Sequence, residues 1–227
     1  SSGAPLHPED KANVRARLCR NLFDYYGTTE GGGISILAPT DRELGEGSVG
    51  RPVFMVDVEI VDNDDHPLPR GEVGRIRYRG PGVATADTEA AGDYAGSTHA
   101  DGWFYPGDLG LLDANGFLHL RGRQKDVIVR GGVNVYPLEI EQTLLQLDNI
   151  ADAAVVAWPS AEFGEEIAAF VVARRDGIDI GSIERQCQDR LAPYKLPRQI
   201  YLVDDLPRNS SGKVLKTRLQ ERLVPIE

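Results

Sequence analysis

Gly122-Arg123-Gln124-Lys125-Asp126-Val127-Ile128-Val129-Arg130-Gly131-Gly132-Val133-Asn134-Val135-Tyr136-Pro137-Leu138-Glu139-Ile140-Glu141 separates two textures of sequence. Upstream of it, apolar residues come in short alternating runs between turn residues. Phe54 to Val61 and Val73 to Tyr78 read as half-buried strands joined by a stretch holding Asp64, Asp65, Pro67 and Pro69. Leu109 to Asp113 and Phe117 to Arg121 flank Ala114-Asn115-Gly116 as a hairpin. Leu22 to Tyr25 predicts another short strand, and Pro8 to Cys19 a surface helix with proline in its first turn.

Downstream the rhythm alternates between strand and helix. Val127 to Val129 and Val133 to Tyr136 flank Gly131-Gly132 as a hairpin. Pro137 opens a helix, because Leu138, Leu144, Leu145 and Leu147 have helical spacing and Glu139 and Glu141 suit its N-terminal dipole. Ala153 to Trp158 and Ile167 to Ala173 predict two apolar strands. A helix over Ser182 to Leu191, a strand over Gln199 to Val203 and a C-terminal helix over Val214 to Leu223 complete the pattern. The fold class is therefore mixed: a mainly β region over 1–123, a distorted barrel or sheet, then a small α+β domain over 124–227.

Composition narrows the function. The 227 residues carry 35 acidic and 25 basic side chains, a net charge of −10, with 41% hydrophobic residues and a mean hydropathy of −0.31. The longest unbroken apolar run, Ile167 to Ala173, is seven residues, far short of the roughly twenty a membrane span needs. Two segments run against the acidic background: Arg121 to Arg130 and Lys195 to Arg222 together hold +7 in 38 residues, leaving −17 on the other 189. An acidic body argues against nucleic acid. Local basic segments suit a small anion, or are solvated faces. Cys19 and Cys187 make no disulfide framework or cysteine zinc site, and a reducing cytoplasm is the expected compartment.

Some motifs fail on context. Gly45-Glu46-Gly47-Ser48-Val49-Gly50 satisfies G-x-G-x-x-G, but Arg51-Pro52 follows where a dinucleotide fingerprint needs a helix. Ser211-Gly212-Lys213 lacks the first glycine and the final Ser/Thr of a P-loop, since Pro207 and Val214 stand there. Asn209-Ser210-Ser211 is formally a glycosylation sequon. His7, His66, His99 and His119 have no ligand or triad spacing and read as surface or turn residues.

Four segments can carry chemistry. Tyr25-Tyr26-Gly27-Thr28-Thr29-Glu30, followed by Gly31-Gly32-Gly33, offers an aromatic face, a close backbone approach, hydroxyl donors and a carboxylate able to hold Mg²⁺. It reads equally as an ordinary strand-to-loop turn. Gly102-Trp103-Phe104-Tyr105-Pro106-Gly107-Asp108 fixes an acid after Pro-Gly, suited to a vicinal diol or simply to a turn. Gly122 to Asp126, with Arg130-Gly131-Gly132 beyond it, is a polar boundary able to act as a hinge. Pro207 to Lys213 places a lysine in a turn ahead of a helix, where it reaches a neighbouring cleft or stays solvated.

In this order the four segments, with Ser2-Gly3-Ala4-Pro5 and Gly47 to Pro52, make the chain resemble the adenylate-forming superfamily of acyl-CoA and aryl-CoA synthetases, peptide-synthetase adenylation domains and luciferases. The resemblance covers nearly the whole chain. It implies a large N-terminal domain, of which 1–123 is the C-terminal part, and a mobile small domain. The reaction implied is ATP-dependent formation of an acyl-adenylate from a carboxylic acid, then transfer to the thiol of CoA.

By the same resemblance Gly3, Ala4, Pro5 and Tyr26 enclose adenine, Thr29 hydrogen-bonds the α-phosphate, and Gly27 and Thr28 belong to the same nucleotide-binding stretch. Glu30 binds Mg²⁺, Asp108 holds the ribose with help from Arg123, and Lys213 bridges the substrate carboxylate and α-phosphate. Lys125 is the hinge, and Arg130, Gly131 and Gly132 form the loop admitting CoA. Pro106 departs from the family's usual hydroxyl residue. The family's upstream phosphate loop has no counterpart, so the 227 residues alone are expected not to make adenylate, and the rest of the enzyme is an implied partner. A homo-oligomer stays open, as does the acid. The Gly131 to Glu141 and Arg208 to Lys213 stretches look more like CoA ligases than peptide-synthetase domains. That second class, and a non-catalytic nucleotide- or partner-binding module, are the alternatives.

Overall fold

The computed structural model of the chain describes residues 1–3, 8–29, 31–83, 97–98, 101–175, 177–210, 212–224 and 226. The expectations placed on Ala4, Pro5, His7, Glu30 and His99 fall outside these residues. The chain divides into two compact units, Ser1–Gln124 and Lys125–Glu227.

The first unit begins with α1 (Pro8–Arg17) and is otherwise built of strands. β1 (Asp24–Thr28), β2 (Gly32–Leu37) and β3 (Arg51–Pro52) form a three-stranded antiparallel sheet. β4 (Asp57–Val61), β5 (Gly74–Arg79), β6 (Ser97–Thr98), β7 (Phe104–Tyr105), β8 (Asp108–Leu112) and β9 (Leu118–Arg123) form the second. Its spatial order is β6-β7-β5-β8-β9, with β4 on β5. Among the described residues neither sheet closes into a barrel, so the sheet alternative holds. Ile34 of β2 joins Ile60, Ile76, Tyr78, Phe104 and Leu118 in one buried cluster, with Tyr26 packed against it. Alternation along β5 buries Ile76 and Tyr78 on this side. The opposite side carries Arg75, Arg77 and Arg79, the last two each stacking its guanidinium on Trp103, 4.5 and 4.6 Å from the ring centroid.

The second unit is a five-stranded sheet with helices on both faces. β10 (Ile128–Arg130) and β11 (Val133–Val135) make the predicted hairpin, and α2 (Pro137–Leu145) follows. β12 (Ile150–Ser160) and β13 (Gly164–Ala173) pair antiparallel. α3 (Ile180–Gln188) leads to β14 (Gln199–Val203), which runs parallel to β13, and α4 (Lys216–Gln220) follows. The long strands are almost wholly apolar because both faces are covered. Val155, Ile167, Ala169 and Val171 face a core shared with Ile140 and Leu144 of α2 and Ile183 and Cys187 of α3. Val156, Ala168 and Phe170 face the other way, onto Leu219 of α4 and Leu206 of the loop after β14.

Three local differences have physical causes. Gly32–Leu37 is a strand, although its glycines read as loop. α3 starts earlier, at Ile180, because Asp179 caps it, accepting from the Gly181 N–H at 3.0 Å. The C-terminal helix is cut to Lys216–Gln220 because Val214 bridges Arg208 and the Leu215 N–H donates to the Pro207 carbonyl at 2.7 Å. Among the described residues no helix is long and apolar enough to cross a membrane.

Candidate functional site

In the first unit three of the predicted residues come together. A register shift between Tyr26 and Gly27 breaks the regular ladder of β1, so the strand bends where the aromatic ends. Tyr26 is turned to the core side, and its hydroxyl donates to Asp108 Oδ2 at 2.5 Å. Burial, and next the Asp108 charge, hold the phenol well above its ordinary pKa, so it remains a neutral donor. Asp108 opens β8 directly after Gly107, whose φ of 77° is the left-handed turn that glycine permits. Arg123 stands opposite Asp108 in the β8–β9 ladder, its Nε 3.4 Å from Oδ1. The Gln124 N–H closes the corner on the Gly107 carbonyl at 2.9 Å. The carboxylate is thereby held in one direction by a phenol and a guanidinium, an arrangement able to accept two hydroxyls of a diol.

The segment after Tyr26 is a tight turn fixed from within. Thr28 Oγ1 lies 2.7 Å from Tyr78 Oη and accepts the Gly31 N–H at 3.0 Å. A side chain at Gly31 would place its Cβ 1.7 Å from Tyr78 Oη, and one at Gly27 would sit 2.3 Å from the Gly32 carbonyl oxygen. Both glycines therefore answer to close approach. Thr29 is exposed in the turn beyond β1. Gly3, with φ 91°, is also exposed, and the first residues run beside β1, since the Tyr25 N–H donates to the Ser1 carbonyl at 2.9 Å.

The second unit holds the other predicted residues. Lys125 is exposed in a short 3-10 turn, Gln124–Asp126. Gly131 and Gly132 form the β10–β11 turn with φ of 56° and 83°. Arg130, expected to face CoA with them, is engaged by a carboxylate of the sheet. Its Nε and Nη2 meet both oxygens of Glu166 at 2.7 and 2.9 Å, and its guanidinium lies 4.9 Å from the Phe163 ring centroid. Glu166 is 3% exposed and, with its hydrogen bond first, raises the Arg130 pKa further. Lys213 is exposed at the end of a hairpin in which Asn209 accepts the Lys213 N–H at 2.9 Å.

Neither Glu166 nor Asp152, which pairs with Arg208, was visible as a site residue. The available signal was a carboxylate directly ahead of each apolar run, 153–158 and 167–173. His119 also differs from its surface reading: it lies in β9, partly buried, with Nε2 3.1 Å from Asp113 Oδ2. Asp62, Asp64 and His66 bring ligand atoms within 4.8 Å of one another, but Asp62 Oδ1 already accepts the Asp64 and His66 N–H groups at 2.8 and 2.9 Å. That cluster is a hydrogen-bonded turn.

Comparison with known proteins gives a consistent picture. The family model described as AMP-binding enzyme matches residues 1–86, and that described as AMP-binding enzyme C-terminal domain matches residues 139–213. The long-chain-fatty-acid–CoA ligase FadD13 of Mycobacterium tuberculosis is 34% identical over 98% of this chain and 44% of its own length. The 2-succinylbenzoate–CoA ligase of Enterococcus faecalis is 34% identical over 95% of this chain and 44% of its own. ATP-bound MatB from Rhodopseudomonas palustris superposes with a TM-score of 0.84 at 33% identity, covering 96% of this chain and 44% of that one. The o-succinylbenzoate-CoA synthetase of Bacillus subtilis, in complex with its acyl-adenylate intermediate, gives 0.83 at 32% identity over the same shares. The chain thus spans less than half the length of these relatives.

Proposed function

The chain belongs to the family of AMP-binding, adenylate-forming enzymes, and on that premise we propose that it carries the ribose-binding and lysine-bearing parts of an acyl- or aryl-CoA synthetase. The observation that carries this reading is the Tyr26–Asp108–Arg123 arrangement, in a chain whose relatives are CoA ligases. The carboxylate oxygen of the acid attacks the α-phosphorus of ATP, pyrophosphate leaves, and the thiol sulfur of CoA then displaces AMP from the acyl carbon.

In this reading Asp108 accepts the ribose hydroxyls, and Tyr26 and Arg123 keep it oriented. The Tyr26 ring, Gly27 and the Gly3-Ala4-Pro5 segment bound the adenine. The Thr28 hydroxyl is engaged by Tyr78 and Gly31, so it shapes the turn while exposed Thr29 meets the α-phosphate. Glu30 supplies an oxygen ligand of the kind Mg²⁺ prefers, and the metal would offset phosphate charge. Lys213 draws two anions together and stabilises charge growing on the phosphate. Lys125 is the pivot of the mobile unit. The Gly131-Gly132 turn borders the path of pantetheine, and Arg130 holds that turn. The two free cysteines, Cys19 and Cys187, fit a cytoplasmic enzyme.

The test is to supply the full-length gene product with ATP, Mg²⁺, CoA and a panel of fatty, aryl and dicarboxylic acids. Acid-dependent release of AMP and pyrophosphate with thioester formation is expected. Failure to form AMP or thioester with every acid would overturn the proposal. Within an active protein, Asp108→Asn removes a charge-assisted acceptor and is expected to raise KM for ATP about 10- to 100-fold. An unchanged KM would remove Asp108 from the ribose site.

A further inference from the structure

We propose that Asp152 and Arg208 are positioning residues for Lys213, a role that rests on the synthetase reading above. Lysine is a point charge on a flexible four-carbon stem, so its placement depends on how firmly its backbone is held. Here the described backbone is a hairpin held by three contacts. The Asn209 N–H donates to the Lys213 carbonyl at 2.9 Å, the Gly212 N–H donates to the Asn209 carbonyl at 3.0 Å, and Arg208 bridges Val214. Gly212 takes φ 82°, the left-handed conformation the turn needs.

The hairpin is also fastened to the sheet. Arg208 Nη1 donates to the Gly212 carbonyl at 2.5 Å, while Nη2 pairs with Asp152 Oδ2. One guanidinium therefore grips both the residue before Lys213 and β12. Asp152 stands at the register shift of β12 with β13, and its Oδ1 accepts the Ala153 N–H at 2.9 Å. Beyond the hairpin, Lys216 pairs with Glu141 Oε1 at 2.7 Å, and the same oxygen accepts the Val155 N–H at 2.8 Å. The segment bearing Lys213 is thus tied to β12 on both sides.

Arg208 and Asp152 are 36% and 19% exposed in their side chains, so the pair adds little to stability. Its effect falls on geometry, where an error of about 1 Å in a reacting group costs on the order of 100-fold. In the full-length protein, Asp152→Asn and Arg208→Met are expected to lower kcat for adenylation about 10- to 100-fold. KM for ATP, the melting temperature and thiolation of preformed acyl-adenylate should stay near the wild-type values. The exchanged pair, D152R with R208D, should recover part of the adenylation rate, since the attraction is restored. Adenylation within about twofold of wild type in both single variants would overturn the proposal, as would equal losses in both half-reactions accompanied by a lower melting temperature. Lys213→Ala separates this from the wider reading. If it leaves adenylation intact, the lysine's role falls; if it blocks adenylation and Asp152→Asn does not, only the positioning role falls.

Discussion

Replacement of Lys213 by alanine in the full-length protein is expected to slow acyl-adenylate formation by on the order of 100- to 1,000-fold, about 3 to 4 kcal/mol of transition-state stabilisation. Acid and ATP are both anionic, and the attacking carboxylate approaches a phosphorus already surrounded by negative oxygens. A preorganised ammonium contributes most where that charge accumulates, so kcat falls more than either KM rises. The side chain is exposed, so its truncation opens no buried cavity and the melting temperature should hold. Pyrophosphate exchange measures the first half-reaction, and release of thioester from preformed acyl-adenylate measures the second. The second should persist. Exchange within about tenfold of wild type would show that another cation performs the step. Arginine at this position should not restore the rate, because its planar fork cannot replace a compact ammonium.

The two long strands of the second unit were legible because their chemistry is unambiguous. Residues 153–158 and 167–173 are wholly apolar, and a strand of that kind must be covered on both faces. β2 was not legible, since it starts among three glycines that look like loop. The reason for the glycines lies in neighbouring strands: Tyr78 of β5 stands where a Cβ on Gly31 would be, and Tyr25 of β1 where one on Gly33 would be. Element ends were misread where a tertiary contact competes with helical spacing, as where the Pro207 carbonyl takes the Leu215 N–H and delays α4.

The candidate site divides in the same way. That Tyr26, Asp108 and Lys213 are candidates for chemistry was readable from short segments, and the role of each came from the resemblance. How they are held was not readable. Tyr26 and Asp108 are 82 positions apart and Arg208 and Asp152 are 56 apart, and nothing local in either segment points to its partner. The Arg130 guanidinium likewise meets a partner far along the chain, directed inward to the Glu166 carboxylate 36 positions away.

That inward arrangement predicts the second large effect, on stability. Arg130→Met leaves Glu166, whose side chain is 4% exposed, without its cation inside the sheet. Breaking such a pair from one side typically costs about 3 to 5 kcal/mol, because the remaining charge is buried and uncompensated. Arg130 keeps 24% of its side chain exposed, so water can partly replace it, and about 3 kcal/mol is the expected loss in urea unfolding. The double variant Arg130→Met, Glu166→Met removes both charges together and should recover most of that stability. It should not recover thiolation. The Gly131 N–H donates to the Phe163 carbonyl at 2.9 Å and Arg130 pairs with Gly164 in the ladder, so the guanidinium stacked on Phe163 braces the glycine turn from behind. An Arg130 serving instead as a phosphate ligand would give the opposite pattern: KM for CoA would rise in the single variant while its stability stayed at wild type. Unfolding and thiolation measured on the same pair of variants therefore decide whether this arginine holds the turn or the substrate.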